Sequence, residues 1–185
     1  MNTVEPIREY DLILDIADYL KDKRERDYVL FMTGIYLGRR ISDILPFRVR
    51  DIKDREHIYI TEEKTGKEIK IAINKELQAI YKDYCKGKKA WEYLFRGTGR
   101  KKPISRQRVW QILNEAADEF EYKDRIGCHS LRKTFGYWLY QNTHDVVAIQ
   151  ELLNHDDPSI TKRYIGINQD TKDSMVNGLS FKKKR

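Results

Sequence analysis

His129-Ser130-Leu131-Arg132 sets an imidazole and a guanidinium three residues apart, on one face if the segment is helical. Such a pair can hold an anion in the planar arginine fork while the histidine moves a proton. With 4 His in 185 residues, chance supplies about a third of one such pair, so the spacing is weak alone. His155 and Tyr164, nine apart, add a second imidazole and a phenol. Among 12 tyrosines most must be structural, and a half-buried Tyr is the plain alternative. In Gly38-Arg39-Arg40-Ile41-Ser42-Asp43 two adjacent arginines follow an apolar stretch and cannot both enter the core. One of them, fixed by an acid such as Asp43, would present its guanidinium to a phosphate; a solvated surface pair is the alternative. Lys64, in the turn Lys64-Thr65-Gly66-Lys67, serves solubility on a hairpin or else reaches a substrate.

The elements that must carry these residues follow from periodicity. A helix is expected over 8–21, with Leu12, Ile13, Ile16, Ala17 and Leu20 on one face, and another over 25–37, apolar almost all round and therefore central. Gly38 suits its end, and a short helix at 41–45 stops before Pro46. The period then changes to two: 57–60 and 68–73 read as a hairpin, with Ile69, Ile71 and Ile73 alternating. Asn74 caps a helix over 75–86, and 93–95 is a short apolar segment. Ser105 caps a helix over 106–121 with Val109, Trp110, Leu113 and Ala117 inside. Further helices are expected at 130–142, 145–153, 158–165 and 169–178. The fold class is α+β, mainly α-helical with a small antiparallel sheet.

Composition narrows the function. The chain is long enough for one domain with a proper core. Aromatics at 11% speak against disorder, and no apolar run approaches a membrane span. The first residues, MNTVEPIREYDLILD, are not a secretory signal. Cys85 and Cys128 make neither a disulfide framework nor a paired zinc motif, so a cytoplasmic chain with reduced thiols and no metal is expected. A net charge of +7 favours a polyanionic partner. Arg96, Arg100, Lys101, Lys102, Arg106 and Arg108 cluster around one loop and the helix start after it. Together they suggest a helix N-terminus laid on DNA.

Taken in order, these motifs resemble one family. YLGRRISDILPFRVRDI is similar to the tyrosine recombinases, the phage-integrase family, around their first catalytic arginine. TEEKTGKEIKIAI resembles their hairpin with its lysine, HSLRKTF their His-x-x-Arg box, and LLNHDDPSITKRYIGI their closing His and nucleophilic Tyr. The resemblance covers residues 6–178 and implies that family's catalytic-domain fold over 1–178, with a basic tail at 179–185. It assigns the catalytic set Arg40, Lys64 (Lys67 as fallback), His129, Arg132, His155 and Tyr164. Two positions depart from the pattern. Lys133 stands where a His often follows the box arginine, keeping a cation, and Asn154 replaces a Gly before the second His. Asn is the next-best residue for a left-handed helix cap. Family members usually carry a helical DNA-clamping domain ahead of this one, and this sequence starts almost at the catalytic domain.

The resemblance implies DNA cleavage and rejoining through a 3′-phosphotyrosyl intermediate, without metal, ATP or other cofactor. It implies double-stranded DNA as partner, a monomer that becomes a homotetramer on DNA, and a cytoplasmic, nucleoid-associated location. A phenol ionises near pH ~10, so close cations must favour the attacking phenolate. The competing readings are a type IB topoisomerase, which shares the nucleophile, a non-catalytic DNA-binding module derived from an integrase, and a basic scaffold unrelated to DNA.

Overall fold

The computed structural model describes residues 4–61, 66–99, 101–122, 124, 126–155, 157–165, 173 and 176–179. They form a mainly helical α+β fold with one two-stranded antiparallel sheet. The chain divides into two compact units, residues 1–135 and 136–185.

In the first unit, α1 (Tyr10–Lys23) buries Leu12, Ile13, Ile16, Ala17 and Leu20, the face its 3.6-residue period marks. α2 (Glu25–Leu37) packs on α1 and buries Val29, Leu30, Phe31 and Leu37. Gly38 ends α2 at φ 60°, a left-handed turn that favours glycine. α3 (Ile41–Ile44) follows. α4 (Val49–Ile52), which periodicity does not reveal in four residues, starts where the Arg48 amide donates to Asp51 Oδ2 at 2.8 Å. β1 (His57–Thr61) pairs with β2 (Glu68–Ala72), Ile58 opposite Ile71 and Ile60 opposite Ile69. Ile58, Ile60 and Ile71 are buried, while Tyr59 and Lys70 pair on the exposed face. The expected turn at 64–67 lies partly outside the described residues.

α5 (Lys75–Tyr84) is capped as expected: Asn74 Oδ1 accepts from the Leu77 amide at 2.8 Å. Leu94 and Phe95 are buried, and their segment makes only isolated bridges, Arg48 to Tyr93 and Arg96 to Pro103. In α6 (Arg106–Glu119), Ser105 Oγ accepts from the Arg108 amide. Trp110 departs from expectation: it is 52% exposed. The buried stripe of α6 is Val109, Ile112, Leu113, Ala116 and Ala117, and Trp110 lies about 100° round the helix from Val109, just past the edge that Ala117 forms.

The division between the units falls within α7 (Cys128–Thr143). In the second unit, α8 (Val146–Leu152) and α9 (Pro158–Ile165) pack together around Ile149, Leu153 and Ile165. Gly136 of α7 makes that contact close, since a Cβ there would stand 3.3 Å from Leu153 Cδ1. The expected helix at 169–178 falls largely outside the described residues.

Candidate active site

The first unit positions Arg40, His129 and Arg132 through two glycines one helical turn apart. A Cβ on Gly34 would meet Leu131 Cδ1 at 2.5 Å, and one on Gly38 would meet the Phe135 ring at 2.2 Å. With no side chains in the way, the end of α2 lies directly against the first two turns of α7. The chain then leaves Gly38 into Arg39 and Arg40, and the two arginines diverge. Arg39 is buried and its Nε donates to the Leu37 carbonyl at 3.3 Å, whereas Arg40 is half-buried at the start of α3.

On α7, Arg132 is only 1% exposed, and solvent still reaches His129. Partial desolvation pushes the His129 pKa below the ordinary imidazole value, and the charges of Arg106, Arg132, Arg40 and Lys133 push the same way. A neutral imidazole therefore sits among guanidinium and ammonium groups at neutral pH. Among these cations, Arg106 acts most strongly on His129. It comes from the first turn of α6, which the Cys128 thiol ties to α7 by donating to the Arg106 carbonyl at 3.7 Å. Sequence spacing assigns Arg106 to the DNA-facing loop cluster and carries no sign of this contact, because two helix starts meet only in three dimensions. Lys133 is buried, and its ammonium donates to the Val4 carbonyl at 2.8 Å. Next to it, Thr134 Oγ1 accepts from the Ile7 amide at 2.9 Å. The residue at the departing position thus also straps the segment before α1 onto α7.

The second unit brings His155 and Tyr164 together. After α8, Asn154 adopts φ 48°, the left-handed cap expected of it. The Asn154 amide donates to Glu151 O at 2.9 Å and the His155 amide to Gln150 O at 3.0 Å. That double bond is a Schellman turn. Gln150 Nε2 returns a bond to the His155 carbonyl at 3.0 Å. Aimed by this turn, His155 meets α9: its Nδ1 lies 3.0 Å from Thr161 Oγ1, and its ring stands edge-on to Tyr164 with centroids 4.7 Å apart. Thr161 is fully buried and Tyr164 half-buried, three residues apart on one face of α9.

Lys64 and Arg100 lie outside the described residues, and the fallback Lys67 is exposed. Of the other loop cations, Lys101, Lys102 and Arg106 are exposed. Arg96 pairs with Glu92 and Arg108 with Glu115, each at 2.7 Å. Among the described residues, no group of three His, Cys, Asp or Glu side chains is arranged to hold a metal ion, and no helix is long and apolar enough to cross a membrane.

Comparison with known proteins gives the same pattern a wider setting. The model of the phage integrase family matches residues 7–170. A Bacillus subtilis (strain 168) protein named "Probable integrase/recombinase YoeC" is 47% identical over 171 residues, covering 92% of this chain and 94% of that protein. The crystal structure of XerA recombinase superposes with a TM-score of 0.76 at 17% identity, over 95% of this chain and 65% of XerA. The XerH site-specific recombinase bound to its palindromic difH substrate gives 0.72 at 18% identity, over 94% of this chain and 51% of XerH. The chain thus spans nearly all of the Bacillus protein and half to two thirds of the two solved recombinases.

Proposed function

Because the chain belongs to the phage integrase family of tyrosine recombinases, whose members cleave and rejoin DNA, we propose that it does so through a covalent phosphotyrosyl intermediate on Tyr164. The observation that carries this reading is the His155–Tyr164 ring contact, held by a buried threonine and a double-bonded turn. A structural tyrosine has no need of an oriented imidazole.

In this reading Arg40 and Arg132 hold the scissile phosphate of double-stranded DNA and stabilise the charge that grows on its non-bridging oxygens. Tyr164 Oη attacks phosphorus, a P–Oη bond forms, and the bond from phosphorus to the 5′-oxygen breaks. The products are a 3′-phosphotyrosyl ester and a free 5′-hydroxyl, whose proton comes from Lys64. His155 donates a hydrogen bond to the phosphate, with Thr161 fixing the ring. His129, kept neutral by its surroundings, relays protons. The phosphotyrosyl ester keeps the energy of the broken linkage, so rejoining by the reverse attack needs no ATP. Lys101, Lys102 and Arg106 contact the DNA backbone, and the chain assembles as a tetramer on DNA from monomers in solution.

The test is incubation with a nicked duplex whose cleavage releases a short fragment and traps the covalent complex. Tyr164→Phe removes one oxygen and keeps the ring. It should abolish the adduct while leaving non-covalent affinity within about threefold, because a phenol–phosphate hydrogen bond contributes only about 0.5–1.5 kcal/mol. An adduct on another residue, or one that survives Tyr164→Phe, would overturn the assignment.

A further inference from the structure

The segment 4–7 lies across the start of α7 as a strap and is tied to the residues around His129 and Arg132. Lys133 is buried, and its ammonium donates to the Val4 carbonyl at 2.8 Å. The Ile7 amide donates to Thr134 Oγ1 at 2.9 Å, and that hydroxyl donates in turn to the Ser130 carbonyl at 2.7 Å. A chain of hydrogen bonds thus runs from the strap into the turn that carries His129. Val4 also closes over the residue that leads into α7. A Cβ on Gly127 would stand 3.2 Å from Val4 Cγ1 and 3.7 Å from Trp110 Cδ1.

The strap is suited to a fixed seat. Pro6 sets its own φ and biases Glu5 toward extended backbone, so less chain entropy is lost on docking. Pro6 and Ile7 are both buried. The tie at Lys133 is chemically specific. Burying an ammonium is unfavourable unless it is hydrogen-bonded, and a methionine would fill a similar space without that cost. What the ammonium adds is a directional bond to one carbonyl of the strap.

α7 is held from two sides. Leu131 and Phe135 pack against Gly34 and Gly38 at the end of α2, whereas Ser130, Lys133 and Thr134 are joined to the strap. At about 100° per residue, Arg132 and His129 fall between these two sides around the helix. His129 and Lys133 stand one turn apart on the same face. Losing the strap leaves α7 free to rock about its contact with α2, and the rocking carries Arg132 and His129 with it.

We propose that Lys133 is a positioning residue: its bond to Val4 keeps the strap seated, and the seated strap fixes the placement of Arg132 and His129, so that opening a segment outside the catalytic set slows cleavage. The proposal rests on the DNA-cleaving reading above. Lys133→Met, Thr134→Val, the double variant and Lys133→Arg test it in the full chain. Hydrogen exchange at the Ile7 amide reads strap opening, fluorescence polarisation reads duplex affinity, and a single-turnover time course at saturating nicked duplex reads adduct formation. Lys133→Met should speed exchange at Ile7 by about tenfold or more. It should slow adduct formation by about 10–100-fold, as for a misplacement of up to about 1 Å, while duplex affinity changes less than about threefold. Thr134→Val removes the acceptor of the Ile7 amide and changes no charge, so an equal deficit there separates placement from the effect of the Lys133 charge on His129. The double variant should be no slower than the slower single variant, because both bonds hold one strap. Lys133→Arg, which keeps a charged donor, should recover most of the rate. Deficits that multiply in the double variant would overturn the positioning role. So would a wild-type rate in either single variant once its Ile7 amide exchanges faster; should Lys133→Met fail to fold by thermal unfolding, Thr134→Val alone decides. These results leave the cleavage reading standing, whereas a wild-type chain that forms no adduct on Tyr164 would overturn both.

Discussion

Replacing Gly34 by alanine should reverse the usual sign of a helical glycine substitution. In an exposed helix interior, Gly→Ala stabilises by about 1 kcal/mol, because alanine loses less backbone entropy. Here the new Cβ would stand 2.5 Å from Leu131 Cδ1, 3.0 Å from its Cβ and 3.2 Å from its Cγ. The contact with Cδ1 matters most, since Leu131 is only 1% exposed and its packed neighbours hold that methyl in place. Restoring ordinary separation requires α7 to retreat by about 1 Å. Overpacking of this kind costs about 1–3 kcal/mol, which outweighs the propensity gain. Leu131→Ala alone should cost about 2–5 kcal/mol by leaving a cavity. In that background the contacts with Cδ1 and Cγ are gone, the remaining 3.0 Å contact with Cβ is relieved by a shift of a few tenths of an ångström into the void, and the added methyl fills part of it, so Gly34→Ala should stabilise by up to about 1 kcal/mol. Urea unfolding of the four proteins measures the cycle. Because Arg132 follows Leu131 directly, the single Gly34 variant should also form covalent adduct more slowly at saturating DNA, on the order of 100-fold for a 1 Å misplacement. If Gly34→Ala had the same sign in both backgrounds, the close approach of α2 to α7 would be refuted.

Three further outcomes are expected. Asn154→Ala should lower stability by about 1 kcal/mol because alanine resists the left-handed conformation, while Asn154→Gly should be neutral or better; thermal unfolding separates them. Thr161→Val keeps the volume of a buried side chain and removes the partner of His155 Nδ1. It should slow adduct formation while duplex affinity stays unchanged, as read by a cleavage time course beside a binding curve. His129 has its folded pKa lowered, so below pH ~6.5 the unfolded chain takes up this proton first. Stability linked to His129 is thus complete above that pH, falls as pH drops and levels off below the folded pKa. His129→Gln should flatten this portion of a stability–pH profile.

Local chemistry made much of the fold legible in the sequence. The caps at Asn74 and Ser105, the left-handed turns at Gly38 and Asn154, and the core face of α1 each depend on residues within one or two turns. A residue's own side chain and its immediate neighbours decide them. The misreadings arise where that locality ends. Trp110 looked like core because it is large and apolar, yet it falls just beyond a stripe already filled by smaller residues. α4 is too short to show a period. Within the candidate site, Arg40, His129, Arg132, His155 and Tyr164 stand out in the sequence through the family resemblance, each spacing being weak alone, whereas the charge of adjacent arginines is enough to place one of the 39–40 pair outside the core. The influence of Arg106 on His129 is not legible there, nor is the meeting of Gly34 with Leu131. Each joins segments with no shared period, although glycines four apart in GIYLG hint at a close helix contact. At Lys133 the sequence shows only a retained cation, because its bond to the Val4 carbonyl depends on how the chain's first segment returns.

That return has a consequence for how the protein is made. The Ile7 amide and Thr134 are 127 positions apart, and Val4 and Lys133 are 129 apart. Closing so long a loop is entropically unfavourable until most of the chain between is already ordered. During vectorial synthesis the strap stays open until α7 has emerged from the ribosome, long after α1 and α2 can pair. Arg40 is made early, but the partners that surround His129 assemble only with this last closure. A nascent or partly folded chain therefore holds Arg40 before the cluster around His129 has formed, and closure of the strap at Val4 and Ile7 marks the completion of the unit spanning residues 1–135.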